Sequence, residues 1–482
     1  MEKILSEVKE ASPAAVAESR PAPESFSRGL AARVVKQHFR DLPADAIKWA
    51  RVGILDTLGV TIAGSREPAA LLAGKALDDN AGPCLVLGAR RRTAALDAAL
   101  INGAASHALD FDDCNNTLGG HPSAPVLSAL LPLAEQLGSS GAEFVNAYVA
   151  GFEVECKTGM AVNLHHYTKG WHPTATLGVF GAAAACARLM NLDEDGVATA
   201  LALAASFSSG LKANFGTMTK PLHVGHAARN GLYAARLAQQ GYSANADGVF
   251  EHKHGFLEVF NGPGTYDTRK ALAAWGAPLD IVEPGIAIKQ YPCCGATHPA
   301  VDAMLDIVQQ HRPRLEDVER IDAAVHSRRL AHTDRPYPQS ELDAKFSLQY
   351  VMARALADGH IGLQDFENEA YREARIVPLL RRVYVGAYDE TGAGGFPQDK
   401  HFGGYVAVTL HDGTVLKAQV EQPLGRTSAN PLPPDRLRDK FTLCAQTVLR
   451  PDAVPAIAET IERVEKLDSM RAITSLIQAA AR

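Results

Sequence analysis

The feature that most constrains the fold is a long stretch of helical periodicity. Between about Phe26 and Gln240 apolar residues recur at helical spacing, and strand-like alternation is scarce. Many of these apolar positions are Ala or Gly, which favour helices that approach each other closely. The clearest periodic segments are Ile47–Ile62, Ala124–Leu137, Phe144–Met160, Leu177–Met190 and Gly196–Ala205. The sequence therefore predicts a large helical body.

The character of the sequence changes after about Pro284, where strand-like segments begin. The clearest is Tyr405–Val420, in which two alternating runs flank Asp412-Gly413, a pair typical of a hairpin turn. The other predicted strands are Val318–Val325 and Arg382–Tyr388. Helical patterns interleave with them and return at the end of the chain, at about Pro299–Gln310, Leu342–Ala357 and Asp435–Ala480.

These patterns predict an α+β protein with a large all-α helical domain and an inserted smaller α/β domain. We expect residues 1–24 to form a flexible tail, residues 25–280 to form the first part of the helical domain and residues 281–422 to form the α/β domain. The C-terminal helices, residues 423–482, are expected to return to the helical domain.

Composition excludes several classes of protein. The net charge of −6 leaves no basic stripe for nucleic acid, and no window approaches the roughly 18 apolar residues of a membrane span. The seven cysteines are odd in number and form no CxxC pair, which argues against a disulfide framework or a zinc site and favours a reduced, cytoplasmic protein. Signatures for nucleotide binding, zinc proteases and serine hydrolases are also missing. We therefore expect no metal and no cofactor.

Four basic residues stand directly before a proline at the start of an apolar helical run: His121, His172, Lys220 and His298. Proline suits the first helical turn and pushes the preceding residue out of the helical region, which predicts His or Lys at the N-cap. A cation there is unfavourable unless an anion binds, and helix N-termini bind anions. The set suits a substrate with several carboxylates. The alternative is that these are loop residues exposed to water.

Two further clusters lie near these helix starts. Asp110, Asp112 and Asp113 could hold Mg²⁺, could cap a helix or cluster at the surface, or could supply an acid or base beside His121. The pair Cys293-Cys294 lies between Lys289 and His298. A thiol near a lysine and a helix N-terminus has a lowered pKa, although free cysteines are more often small buried hydrophobes.

These motifs resemble the MmgE/PrpD family over about residues 25–476. The resemblance rests on Asp56-Thr57-Leu58-Gly59, Asn102-Gly103-Ala104 with His107 to Asp113, His121-Pro122-Ser123, Gly170-Trp171-His172-Pro173-Thr174, Thr219-Lys220-Pro221-Leu222-His223 and Tyr291-Pro292-Cys293-Cys294. It implies a helical domain with an α/β lid, a homodimer, and a site in the cleft between the domains. Positions matching the site are Asp110, His121, His172, Lys220 and Lys289. The stretch His332-Thr333-Asp334-Arg335-Pro336 also resembles the family's lid.

The resemblance implies a cofactor-independent lyase that acts on a small di- or tricarboxylate, as a dehydratase or a decarboxylase. We expect Asp110, His121, His172 and Lys220 to be catalytic. We expect Lys289, Cys294, His298 and Arg335 to bind substrate. His172 and Asp110 are the candidate acid and base, with His121 orienting Asp110 or exchanging protons with it.

Two alternatives remain open. The stretch from His166 through Ala182, with Asn214 to Lys220, is most similar to the family's epimerase branch, which acts on iminodisuccinate. A non-catalytic carboxylate-binding protein on the same fold is the alternative from another class.

Overall fold

The computed structural model describes residues 25–78, 80–396 and 401–482. The predicted flexible tail, residues 1–24, lies outside the described residues. The α-helices are α1 (Phe26–Lys36), α2 (Ala44–Gly64), α3 (Pro68–Lys75), α4 (Ala95–Ala108), α5 (Ser123–Leu137), α6 (Gly141–Val162), α7 (His165–Lys169), α8 (Pro173–Thr176), α9 (Gly178–Leu189), α10 (Glu194–Phe207), α11 (Thr219–Gln239), α12 (Thr268–Ala273), α13 (His298–His311), α14 (Ser327–Thr333), α15 (Glu341–Ala344), α16 (Leu348–Asp358), α17 (Val377–Leu380), α18 (Tyr388–Thr391), α19 (Pro434–Gln446), α20 (Val454–Ile461) and α21 (Arg471–Ala480). The strands are β1 (Cys84–Leu85), β2 (Arg92–Thr93), β3 (Val318–Val325), β4 (Val383–Ala387), β5 (Gly404–Leu410) and β6 (Val415–Val420).

Helices α1, α2, α4 to α6 and α8 to α12 share one hydrophobic core with α19, α20 and α21. Small residues bring the helix backbones of this core together. A Cβ atom built on Gly103 of α4 would lie 2.6 Å from the Cα atom of Gly225 on α11, and one built on Gly151 of α6 would lie 2.5 Å from the carbonyl oxygen of Gly181 on α9. The close contact of α4 with α11 brings Lys220, near the start of α11, to Asp110, which follows the end of α4.

A second hydrophobic core belongs to a four-stranded sheet and helices α13 and α16. The strand order is β4-β3-β5-β6, with β3 parallel to β4 and antiparallel to β5. The predicted hairpin is confirmed: β5 and β6 pair antiparallel, and Gly413 takes a φ of +86° in the turn between them. We refer to the part of the chain from the start of α13 to the end of β6, His298–Val420, as the lid.

The prediction of one continuous helix in the lid is wrong. The pattern at Leu342–Ala357 predicts a single helix, but the chain forms α15 and α16 with a break between them. The side chain of Ser347 accepts a hydrogen bond from the backbone N–H of Tyr350 (3.0 Å) and so caps a new helix. The break lets Lys345 reach out of the lid toward the helical core.

The structure has the predicted α+β architecture, in which helices dominate and the main sheet is small. Among the described helices, none combines the length and apolar character needed to cross a bilayer.

We predict that Gly103→Ala lowers the free energy of unfolding by about 2 kcal/mol, because the added methyl group meets backbone that cannot move aside. Gly74→Ala on α3 is the matched control. Its Cβ would meet only Ile101, at an ordinary distance of 3.5 Å, so helix propensity should make it neutral or stabilising by up to about 1 kcal/mol. Thermal unfolding of both variants checks this, and a Gly103→Ala protein as stable as wild type would contradict it.

Candidate active site

The four basic residues before prolines take different places in their helices. His172 is the N-cap of α8, as predicted. The N-cap prediction is wrong for His121, which precedes the Pro122 cap of α5, and for Lys220 and His298, which lie inside the first turns of α11 and α13. None of the first four helical N–H groups has a partner within the helix, so proline fits at several first-turn positions and does not fix the cap at the residue before it.

Asp110 lies in the left-handed backbone region, with a φ of +53°, directly after α4. Its carboxylate oxygens accept hydrogen bonds from Lys220 Nζ (2.5 Å) and Lys289 Nζ (3.0 Å), and all three residues are buried. Burial acts to raise the pKa of Asp110, but the two lysines outweigh it and hold that pKa well below its usual range. Asp110 therefore stays ionised and fixes two ammonium groups beside each other.

Three successive carbonyl groups around Asp110 each accept a hydrogen bond from a lysine. Lys345 Nζ donates to the carbonyl oxygen of Leu109, Lys289 Nζ to that of Asp110, and Lys440 Nζ to that of Phe111, each at 2.8 Å. The three lysines come from the lid, from the segment between the two cores and from α19. Each is buried. The backbone of Leu109–Phe111 is therefore held by lysines from three separate parts of the chain.

Asp112 binds two imidazoles. Its Oδ2 atom lies 2.8 Å from Nδ1 of His107 and 3.1 Å from Nδ1 of His121. Burial lowers the pKa of His107 to about 3. Burial also acts to lower the pKa of His121, but Asp112 and the thiol of Cys114 raise it to about 10. His121 is thus paired with Asp112 and Cys114 and not with Asp110, with which we expected it to exchange protons.

His172 faces the same cluster from the other side. Its ring stacks on His107 at a centroid distance of 5.5 Å, while His121 meets the His107 ring edge-on at 4.6 Å. Burial is the main cause that lowers the pKa of His172 well below its usual range, and repulsion from His107 and Lys220 adds to it. The ring packs against Phe215, and its Nδ1 atom lies 3.3 Å from Nδ1 of His223. The ring of the buried His107 therefore contacts the neutral imidazole of His172 and the protonated imidazole of His121.

The three aspartates of the sequence cluster do not converge. Asp110 faces lysines, Asp112 faces imidazoles, and burial raises the pKa of Asp113 well above its usual range, so that this carboxyl is neutral. Asp113 accepts a hydrogen bond from the backbone N–H of Ser123 (3.2 Å) and holds the start of α5. The Mg²⁺ alternative, which needs all three carboxylates on one ion, loses its geometric support.

His107, Asp112 and His121 together could hold a metal ion, because one ligand atom from each lies within 4.8 Å of the others. Hydrogen bonds account for the same arrangement, since the N···O distances of 2.8 and 3.1 Å are ordinary for a charge-assisted pair.

The predicted substrate-binding residues lie around this cluster. The backbone N–H of Cys294 donates to the carbonyl of Lys345 (2.9 Å), and burial raises the pKa of its thiol. His298 is buried, its Nε2 atom lies 3.3 Å from the carbonyl oxygen of Cys293, and burial lowers its pKa to about 3. The guanidinium of Arg335 pairs with Asp343.

Sequence reasoning missed several residues of the cluster. His107 belongs to one of the family motifs but was not among the expected site residues, although its spacing of five residues from Asp112 was a usable signal. Lys345, Lys440 and Arg426 stand alone in the sequence, and only the packing of distant segments brings them here. A separate cavity of about 630 Å³ lies beyond Phe111 against α19; it shares Lys440 with the cluster, but its lining includes none of Asp110, Asp112, His121 and His172. We therefore place the candidate active site at the cluster.

Comparison with known proteins covers most of the chain. Residues 28–269 match the MmgE/PrpD N-terminal domain, and residues 291–466 match the MmgE/PrpD C-terminal domain. Human cis-aconitate decarboxylase is 30% identical over 79% of this chain and 79% of its own length, and the Aspergillus terreus enzyme of that name is 27% identical over 91% and 92%. The 2-methylcitrate dehydratase of Salmonella typhimurium is 23% identical over 54% and 55%. The chain belongs to the MmgE/PrpD family.

Proposed function

We propose that the chain is a cofactor-independent lyase that acts on a small di- or tricarboxylate by proton transfer at a carbon next to a carboxylate. The observation that carries this is the pair of imidazoles in opposite protonation states, His172 and His121, beside the two lysines on Asp110. Groups whose pKa values are pushed apart within one site are typical of an acid and a base.

The cations of the site suit the substrate's carboxylates. Lys220 and Lys289 are fixed by Asp110 before any ligand arrives, so their ammonium groups need no rearrangement to meet a second anion. Both reactions that the relatives' names describe, dehydration and decarboxylation, pass through negative charge spread onto a neighbouring carboxylate. Ammonium groups placed beside that carboxylate stabilise the charge as it develops.

The protonation states suggest which residue does what. In a dehydration, the neutral His172 removes the proton next to the carboxylate, and His121 gives a proton to the leaving hydroxyl. In a decarboxylation, the carbon–carbon bond breaks, CO₂ leaves, and His121 protonates the resulting carbanion. Asp110 is a poor base because two lysines hold it ionised, so we assign it to positioning Lys220 and Lys289.

The relatives suggest the order in which substrates are tested. Cis-aconitate comes first, because the proteins named cis-aconitate decarboxylase match over the larger share of the chain. 2-Methylcitrate comes second. Iminodisuccinate tests the epimerase alternative, which the segment around His172 favours.

We further propose the cytoplasm as the location, homodimeric assembly, and the division into helical domain and lid given by the predicted boundaries. The core that most of the helices before α13 share with α19–α21 supports the division, and the seven free cysteines are compatible with a reducing compartment. Light scattering after gel filtration tests the assembly.

The test of the proposed function is an NMR time course of the EDTA-treated protein in D₂O with cis-aconitate, 2-methylcitrate, citrate and iminodisuccinate. We expect loss of CO₂ or water with deuterium entering a carbon next to a carboxylate. Inversion of a stereocentre without loss of either would establish the epimerase instead. An EDTA-treated protein that is inactive until a metal is added would overturn the metal-free mechanism, and an absence of any exchange would favour the binding protein.

We predict that His172→Ala lowers kcat by roughly 10²-fold or more, since the base is removed. His254→Ala is the matched control, because His254 is exposed and far from the cluster in its contacts. Initial rates and thermal unfolding are measured for both variants. A folded His172→Ala protein with nearly normal kcat would show that His172 is not the base.

A second prediction concerns stability and pH. The pKa of His121 is raised from its ordinary value of 6.5 to about 10, so its protonated form stabilises the fold fully below about pH 6.5, and this is lost as the pH rises through about 10. The difference in unfolding free energy between wild type and His121→Gln should therefore be larger at about pH 6 than at about pH 10.5. Denaturant unfolding at both values checks this, with His254→Gln as control. A difference that grows toward high pH would contradict the assignment.

A further inference from the structure

Two arginines from separate segments contact the same aromatic ring beside the candidate active site. The guanidinium carbon of Arg426 lies 4.2 Å from the centroid of Phe402, and that of Arg329 lies 4.9 Å from it. Arg329 belongs to α14 of the lid, and Arg426 lies between β6 and α19. Two like charges are therefore held against one ring, an arrangement that favours an anion between or beside them.

Arg426 lies next to residues of the catalytic cluster. A Cβ atom built on Gly295 would lie 3.7 Å from Lys289 Cε and 4.0 Å from Arg426 Nη1, so the two cationic side chains line one backbone position. Arg426 Nη2 donates to Oδ1 of Asn116 (2.6 Å). Cys114, whose sulfur lies 3.8 Å from Nδ1 of His121, also interacts with Arg426 and acts to raise its pKa.

No carboxylate neutralises either arginine within the described part of the chain. Arg335, which lies near the ring of Phe346 as Lys220 does, is paired with Asp343, whereas no described carboxylate forms an ion pair with Arg426 or Arg329. The Nε atom of Arg426 is buried and has no hydrogen-bond partner among the described residues. Burial lowers the pKa of Arg426 to about 10, and repulsion from Arg329 adds to this, although Cys114 acts to raise it. A partly desolvated guanidinium that has no carboxylate partner and one unsatisfied N–H group favours the binding of an anion.

We propose that Arg426 and Arg329 form a subsite for a second carboxylate of the substrate, distant from the carboxylate that Lys220 and Lys289 hold. The proposal rests on the proposed function and narrows its substrate class. The preferred ligand carries at least two carboxylates far enough apart to contact the lysines and the arginines together. Arg335, predicted from sequence as a substrate ligand, is already satisfied by Asp343 and is the weaker candidate for this role.

The test is a binding measurement that needs no turnover. The probe is tricarballylate, a saturated tricarboxylate, and its Kd is measured by calorimetry for wild type, Arg426→Gln, Arg329→Gln and Arg426→Lys. We expect the two Gln variants to bind roughly tenfold more weakly or worse, because each loses a charge-assisted contact, and Arg426→Lys to retain part of the affinity. Arg328→Gln, an exposed neighbour on α14, is the control and should bind like wild type.

Shorter ligands separate a specific contact from a general loss of positive charge. Methylsuccinate and glutarate each lack one carboxylate of tricarballylate. At least one of them should bind wild type and Arg426→Gln equally, because its missing carboxylate is the one that Arg426 holds. An equal loss for all three ligands would overturn the subsite. If Arg426→Gln fails to fold, Arg329→Gln decides, since no hydrogen bond of the Arg329 side chain is lost with it.

The two proposals fail in different ways. Weakened tricarballylate binding by the arginine variants, with no turnover of any substrate by wild type, would keep the subsite and reject the lyase. Turnover by wild type with unchanged binding in both Gln variants would keep the lyase and reject the subsite. A wild-type protein that neither binds tricarballylate nor turns over any substrate would reject both.

Discussion

The site depends on three lysines that donate to three successive carbonyl groups, those of Leu109, Asp110 and Phe111. A buried ammonium needs both hydrogen bonds and a counter-charge, and here the peptide backbone supplies the first. Since the lysines come from the lid, from the segment between the cores and from α19, one short segment ties these parts together. It also turns three neighbouring aspartates toward three different environments.

Those environments give three carboxyl groups three states. Asp110 is ionised by lysines, Asp112 is ionised by imidazoles, and Asp113 is neutral because burial, with repulsion from Asp56 and Asp112, raises its pKa. The charges that a substrate would meet are therefore arranged before it binds. In a site shielded from water, fixed charges of this kind act more strongly than mobile ones.

The helices and strands could be predicted because periodicity is a local property, and the bounds of α5 and β3 agree closely with their patterns. Family motifs identified Asp110, His121, His172 and Lys220 as candidates. The pairing of His121 with Asp112 could not be predicted, because it depends on how the segment turns after α4. Lys345 and Arg426 were missed for a related reason: a lone basic residue acquires a role only when distant segments pack against it.

The contact of Gly103 with Gly225 has a consequence for the chemistry as well as for the fold. Lys220 is little more than one helical turn from Gly225, and Asp110 is two turns beyond Gly103. The spacing of two helix backbones thus sets how far the ammonium must reach for its carboxylate. A side chain at either glycine would push α4 and α11 apart and so change the distance between Lys220 and Asp110, although it would contact neither residue. The ion pair of the site therefore depends on a helix crossing that only glycine permits.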